Sequence, residues 1–189
     1  GDGVVFDSDD LSALKTGSLR VEVKELAQKD VWQSRQFDGT TVTKDSKINM
    51  GNLTINGTSI DTTNKSYSDL VTEINKISGV QASLIESSDG KFRLAIKSTE
   101  TGTANKINFN TKDISGNDLG VSSGAAKLFG DGSALSDSLN VLKAQDNEIY
   151  SSNNVLPAQD MQLKADGVDY SSSSNTVTID GLKITATKE

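Results

Sequence analysis

Carboxylates are the obvious acid–base groups in this chain, because its 189 residues include no His and no Cys. Their absence removes disulfides, Cys/His zinc sites, thiol nucleophiles, His-ligated haem and every Ser-His-Asp triad. An enzyme built here would have to use carboxylates, Ser/Lys pairs or an oxygen-ligated metal. A glycosidase needs only two carboxylates at the right separation, so that chemistry stands as a remote alternative. The Asp residues, however, sit where turns need them: Asp38, Asp89, Asp131, Asp166 and Asp180 each precede Gly. An Asp-Gly pair is explained by backbone requirements, which takes precedence over a catalytic reading. Asp7-Ser8-Asp9-Asp10 resembles a calcium loop but lacks the Gly and distal Glu of an EF-hand, so a solvated acidic turn is expected. Gly130-Asp131-Gly132 is too short for a phosphate loop, and no nucleophile elbow or P-loop is present. No catalytic, cofactor or metal residue is therefore assigned, no cofactor is expected, and the chain is read as a non-enzyme.

The charge balance points the same way. Lys and Arg number 19 against 26 Asp and Glu, a net −7, and the cations are spread singly. A polyanion needs dense Lys/Arg, so no nucleic-acid partner is expected. No apolar run approaches the ~18 residues of a membrane span, and no secretory leader is visible. Apolar residues amount to 34%, which allows a thin core with much of the chain at the surface. The first residue is Gly1 rather than Met, so a longer parent chain is expected.

The elements that would hold any site follow from periodicity. Residues 1–16 read as an acidic lead-in with a short strand at Val4-Val5-Phe6. Leu19, Val21 and Val23 alternate with Ser18, Arg20, Glu22 and Lys24, the pattern of a strand with one buried face. Trp32, the single Trp, is expected to fill a core. Residues 48–62 read as a hairpin turning at Asn56-Gly57, both positions of a type I′ turn needing positive φ. Tyr67, Leu70, Val71, Ile74 and Ile77 fall on one face of an amphipathic helix over 66–78. Ser66 and Asp69 form its capping box, and Gly79 is its expected stop. A second hairpin turns at Ser87–Gly90 between 80–85 and 92–96, and Ile107 and Phe109 extend the strand pattern. A short helix near 134–142 follows. Asp166-Gly167 and Asp180-Gly181 then predict a small antiparallel meander.

The fold class expected is α+β: mostly antiparallel sheet with one clear helix, in two β-rich lobes. Residues 17–47 plus 146–189 would form a base, with 48–145 inserted as a second lobe. The strand at 18–28 is expected to pack near 158–187.

Three segments carry a resemblance. Residues 51–60, 67–75 and 79–84, with the continuation 92–107, resemble the IN motif of flagellin-related proteins. Leu26-Ala27-Gln28 closes a strand-plus-LAQ segment, and Ala158-Gln159-Asp160 opens an AQD block that runs on through Asp166-Gly167, Ser173–Thr176 and Asp180-Gly181. In that order and spacing they resemble the outer domains of the flagellar filament cap family, hook-associated protein two. The resemblance implies a structural, homo-oligomeric role: a secreted plate at the distal tip of the bacterial flagellum that promotes flagellin polymerisation. It implies flagellin and further copies of the chain as partners, without membrane insertion. Caps of this kind can also act as adhesins, so a module binding host glycans or mucin is the alternative. The terminal coiled-coil helices of the family are not represented here.

Overall fold

The structure, a computed structural model, describes residues 2–8, 19–129 and 153–188. The helix expected near 134–142 and Gly130-Asp131-Gly132 lie outside the described residues. The first five strands are β1 (Asp2–Ser8), β2 (Val21–Glu25), β3 (Lys29–Gln33), β4 (Asn52–Ile55) and β5 (Thr58–Asp61). Helix α1 (Tyr67–Ile74) leads to β6 (Val80–Glu86), β7 (Phe92–Thr101), a 3-10 turn at Thr103–Asn105, β8 (Asn110–Lys112) and β9 (Asp118–Val121). Helix α2 (Ser123–Phe129) precedes β10 (Asn154–Leu156), β11 (Met161–Ala165), β12 (Val168–Ser172), β13 (Thr176–Ile179) and β14 (Leu182–Lys188). This is an α+β chain dominated by antiparallel sheet, as the alternation predicts.

The chain divides into two compact units, Gly1–Asp30 with Glu100–Lys106 and Pro157–Glu189, and Val31–Thr99 with Ile107–Leu156. Residues 31–47, grouped with the base on sequence, fall in the second unit because Trp32 and Phe37 belong to its core.

In the first unit, β14 lies between β1 and β13, and β11 lies between β12 and β2. The expected packing of 18–28 near 158–187 is direct pairing: Val21, Glu22 and Val23 face Ala165, Lys164 and Leu163. Met161, Leu163, Ala165, Ile179, Ile184 and Ala186 form the core, with Val21 and Val23 partly buried against it. The period of two in β11 and β14 puts these residues on one face. Asp166 and Asp180 have φ of 47° and 51°, followed by Gly167 and Gly181 at 80° and 77°, so both Asp-Gly turns form as predicted. They do not make one meander, however. Hairpin β11–β12 joins β2 while β13–β14 joins β1, because each hairpin completes its sheet with a strand from the N-terminal part.

In the second unit, the Asn56-Gly57 turn joins β4 to β5, and β6 pairs with β7 as the second hairpin, Glu86 facing Phe92. The sheet order is β10-β3-β7-β6. Helix α1 buries Tyr67, Leu70 and Ile74, and its capping box is complete: Asp69 N donates to Ser66 Oγ (3.0 Å) and Ser66 N to Asp69 Oδ2 (3.1 Å). The helix stops at Ile74, four residues short of the expected end. Asn75 turns its amide onto β6, accepting from Ala82 N (2.8 Å) and donating to Ala82 O (3.1 Å). That pairing holds the chain out of helical register, and Gly79 instead uses positive φ to enter β6. Ile107 and Phe109 are buried but extend no strand. Two aromatic groups fill the core: Phe37, Tyr67 and Phe92, with centroids 4.8–5.4 Å apart, and Trp32, Phe109 and Phe129, 5.1–6.2 Å apart. Gly124 lets α2 lie on β4, since a Cβ there would come within 2.8 Å of Asn52 O.

Candidate functional site

Of the acidic residues singled out, Asp38, Asp89, Asp166 and Asp180 sit in turns. Asp38 Oδ1 accepts from Thr40 N (2.9 Å) and Val42 N (3.1 Å). The bond from Val42 N, followed by that from Thr40 N, pulls its carboxyl down to about 2. Asp89 accepts from Ser87 Oγ and Lys91 N within its hairpin turn. Asp166 Oδ1 accepts from Arg20 N (2.9 Å). Asp131 lies outside the described residues, as do Asp9 and Asp10. Asp7 and Ser8 lie on β1, paired with Lys183 and Leu182 of β14. Trp32 is 5% exposed and meets Phe109 edge-on, which is the core role expected of it.

One shallow hollow, lined in part by Asp61 and Glu73, brings two carboxylates together. A glycosidase needs one of them held protonated. Asp61 is instead pulled down, mainly by the backbone N–H of Thr63, and Glu73 is bridged to Lys76 at 3.1 Å. Among the described residues, no three His, Cys, Asp or Glu are grouped to hold a metal ion.

Two features stand out instead, one in each unit. The first is a clasp in the first unit built from the LAQ and AQD segments. Gln28 N donates to Gln159 O (2.8 Å) and Gln159 N to Gln28 O (3.1 Å). The side chains repeat the exchange: Gln28 Nε2 donates to Pro157 O and Gln159 Nε2 to Leu26 O, both at 2.8 Å. Asp160 accepts from Thr103 N (2.8 Å) and Thr103 Oγ1 (3.0 Å), tying in the 100–106 segment. Gly102 N reaches Gln28 O at 3.1 Å. Asn175 closes the group, its Oδ1 accepting from Ala27 N at 2.6 Å. Chemically the clasp is a set of hydrogen-bonded backbone and side-chain amides. It has no poised nucleophile, and its evident work is to fix the segments on which the chain leaves and re-enters this unit.

The second feature is the outer face of the β10-β3-β7-β6 sheet. Val80, Leu94 and Ile96 point to the core, so Gln81, Ser83, Ile85, Ala95 and Lys97 point outward, joined by Val31 and Gln33. With the 75–79 turn as rim they line an open hollow of about 810 Å³. Ile85 is 45% exposed there. In the same unit the β8–β9 hairpin carries Ile114, fully exposed, and Leu119. Sequence reading missed this hairpin, although Asp113-Ile114-Ser115-Gly116-Asn117 holds a turn signal in Asp113 and Gly116.

Two β-rich units, a hydrogen-bonded clasp and an open sheet face are the features the described residues present. No family model matches the chain. Over 193 aligned residues, 93% of this chain, it is 31% identical to the flagellar hook-associated protein 2 of Campylobacter jejuni. The chain spans 30% of that relative's length. Its fold is similar to the D2-D3 domains of the flagellar cap protein FliD from Escherichia coli, with a TM-score of 0.61 at 21% identity and the whole of both chains covered. FliD (HAP2) from Pseudomonas aeruginosa PAO1 gives 0.62 at 21% identity, over 96% of this chain and 77% of that one. In sequence the chain is thus similar to part of a flagellar hook-associated protein 2, and in fold to the D2-D3 domains of flagellar cap proteins.

Proposed function

We propose that this chain forms the outer domains of a flagellar filament cap, a structural assembly protein that promotes flagellin polymerisation at the filament tip. The observation that carries the reading is colinearity: one relative named as a hook-associated protein aligns across 93% of the chain, through both units. The clasp supports it, because the LAQ and AQD segments that carry the family likeness are the ones it joins. On this reading the first unit is the base and the second an inserted outer lobe. The chain acts by presenting surfaces, to flagellin and to further copies of itself, and catalyses nothing. It works after export, at the distal end of the flagellum.

The test is loss of the parent gene. Cells lacking it are expected to release unpolymerised flagellin into the medium and to bear stubs in place of filaments. Complementation with the full parent gene restores filaments. Filaments of normal length in the deletion strain would overturn the proposal.

A further inference from the structure

We propose that the β8–β9 hairpin tip of one copy seats in the hollow on the outer sheet face of a second copy. The inference rests on the self-association part of the reading above and names the surface that would carry it.

The tip is built to hold an apolar side chain in water. Asp113 accepts from Ser115 N (2.9 Å), Asn117 N (2.8 Å) and Asn117 Nδ2 (3.1 Å). Its own N–H reaches Asn117 O at 2.9 Å, and Gly116 N reaches Asp113 O at 3.0 Å. These bonds order the loop without any apolar anchor and leave Ile114 fully exposed. An irregularity in the β8–β9 register, between Thr111 and Lys112, pairs Lys112 with Asp118 and Thr111 with Gly120, which leaves Leu119 as an extra residue. A bulge of this kind re-aims a side chain, and Leu119 is 58% exposed. One exposed apolar residue needs no explanation; two on a loop already held rigid make a preformed contact.

The hollow is a suitable receptor. Val31, Ala95 and Ile85 line it, with Ile77 on the rim, and among the described residues Lys97 is the only charged one that does. The tip carries Asp113 and Asp118 against a single Lys112, so it brings a net negative charge to a hollow that pairs apolar Val31, Ala95 and Ile85 with neutral polar residues and the Lys97 cation. That complementarity selects a second copy as the occupant. Tip and hollow are different patches, so the contact is head-to-tail and propagates into a ring or an open chain. A single hairpin tip buries less than the ~1,200 Å² of a stable complex, so the contact is weak until copies are held together.

The chain has no Cys, which makes single-cysteine variants clean reporters. Ile114→Cys and Ser83→Cys, both at exposed positions, are prepared with different affinity tags and checked for native circular dichroism. Equal amounts are mixed at about 1 mM, the effective concentration that tethering provides, and oxidised briefly. The expected result is a mixed disulfide dimer exceeding both self-paired dimers several-fold beyond the random ratio. Adding Lys97→Glu to the Ser83→Cys variant is expected to cut the mixed dimer several-fold and leave self-pairing unchanged. Random pairing, or a yield indifferent to Lys97→Glu, overturns the docking. The cap reading itself stands or falls on the deletion strain, so the two failures are distinguishable.

Discussion

Removing the Trp32 side chain should unfold the second unit selectively. Trp32 is 5% exposed and meets Phe109 at 5.2 Å and Phe129 at 6.2 Å between ring centroids, both edge-on. A buried aromatic of this size covers about 150–250 Å², which at about 25 cal/mol per Å² contributes roughly 4–6 kcal/mol. Alanine keeps part of that area, and the core closes partly around the gap, so Trp32→Ala should cost about 4 kcal/mol, within the usual range for such truncations. The second unit has about 120 residues, giving an unfolding entropy of roughly 0.25 kcal/mol/K. The midpoint of its melting should therefore fall by about 16 °C. Calorimetry is the assay, because the variant lacks the chain's only Trp. The transition of the first unit, whose core is Met161, Leu163 and Ile184 with their neighbours, should not move. Trp32→Phe should recover more than half of the loss, since a ring still meets Phe109. A shift under about 4 °C, or equal shifts of both transitions, would refute the reasoning.

Ser66→Ala removes the Oγ that accepts from Asp69 N in the α1 capping box and should destabilise the second unit by about 1 kcal/mol, read as a lower urea midpoint with unchanged slope. Acid should weaken the fold in a defined window. Asp38, Asp61, Asp69, Asp89, Asp113 and Asp118 all have their carboxyl pulled below its ordinary value, chiefly by hydrogen bonds to the carboxylate. Their stabilisation is present above the unfolded value and is lost as pH falls toward the folded one, about 2 for Asp38. The urea midpoint should thus decline between pH 5 and pH 2, and Asp38→Asn should flatten part of that decline. Light scattering at micromolar concentration should show mainly monomer, because a contact as small as one hairpin tip and a net charge of −7 resist association. A stable ring at that concentration would place strong oligomerisation in these 189 residues.

Local signals were the legible part of this fold. Asn56-Gly57, Asp166-Gly167 and Asp180-Gly181 announce hairpins because their turns demand positive φ, and Ser66 with Asp69 announces a helix start. Alternation identifies β2, β6, β7 and β11 as strands but says nothing about neighbours. So β1 on β14, partners some 180 residues apart, and the division of the last two hairpins between sheets were not readable. Helix α2 escaped because Gly124, Ala125 and Ala126 are small; they are there to let the helix lie on β4, which is a tertiary demand. The end of α1 was misplaced for a similar reason, since Asn75 spends its amide on Ala82 across space. The clasp lies in segments that family likeness marked, yet its reciprocal Gln28–Gln159 bonding emerges only when the two segments meet. The tip of the β8–β9 hairpin and its hollow were invisible, because exposure of Ile114 is a property of the folded surface.

On the proposed function this chain sits in a cap at the end of a flagellar filament. Immunogold electron microscopy of intact cells, with antibody raised against residues 1–189, tests it most directly. The account predicts gold confined to the distal tips of filaments, absent when the parent gene is deleted. Labelling along the length of the filaments, or over the cell body with bare tips, would contradict it.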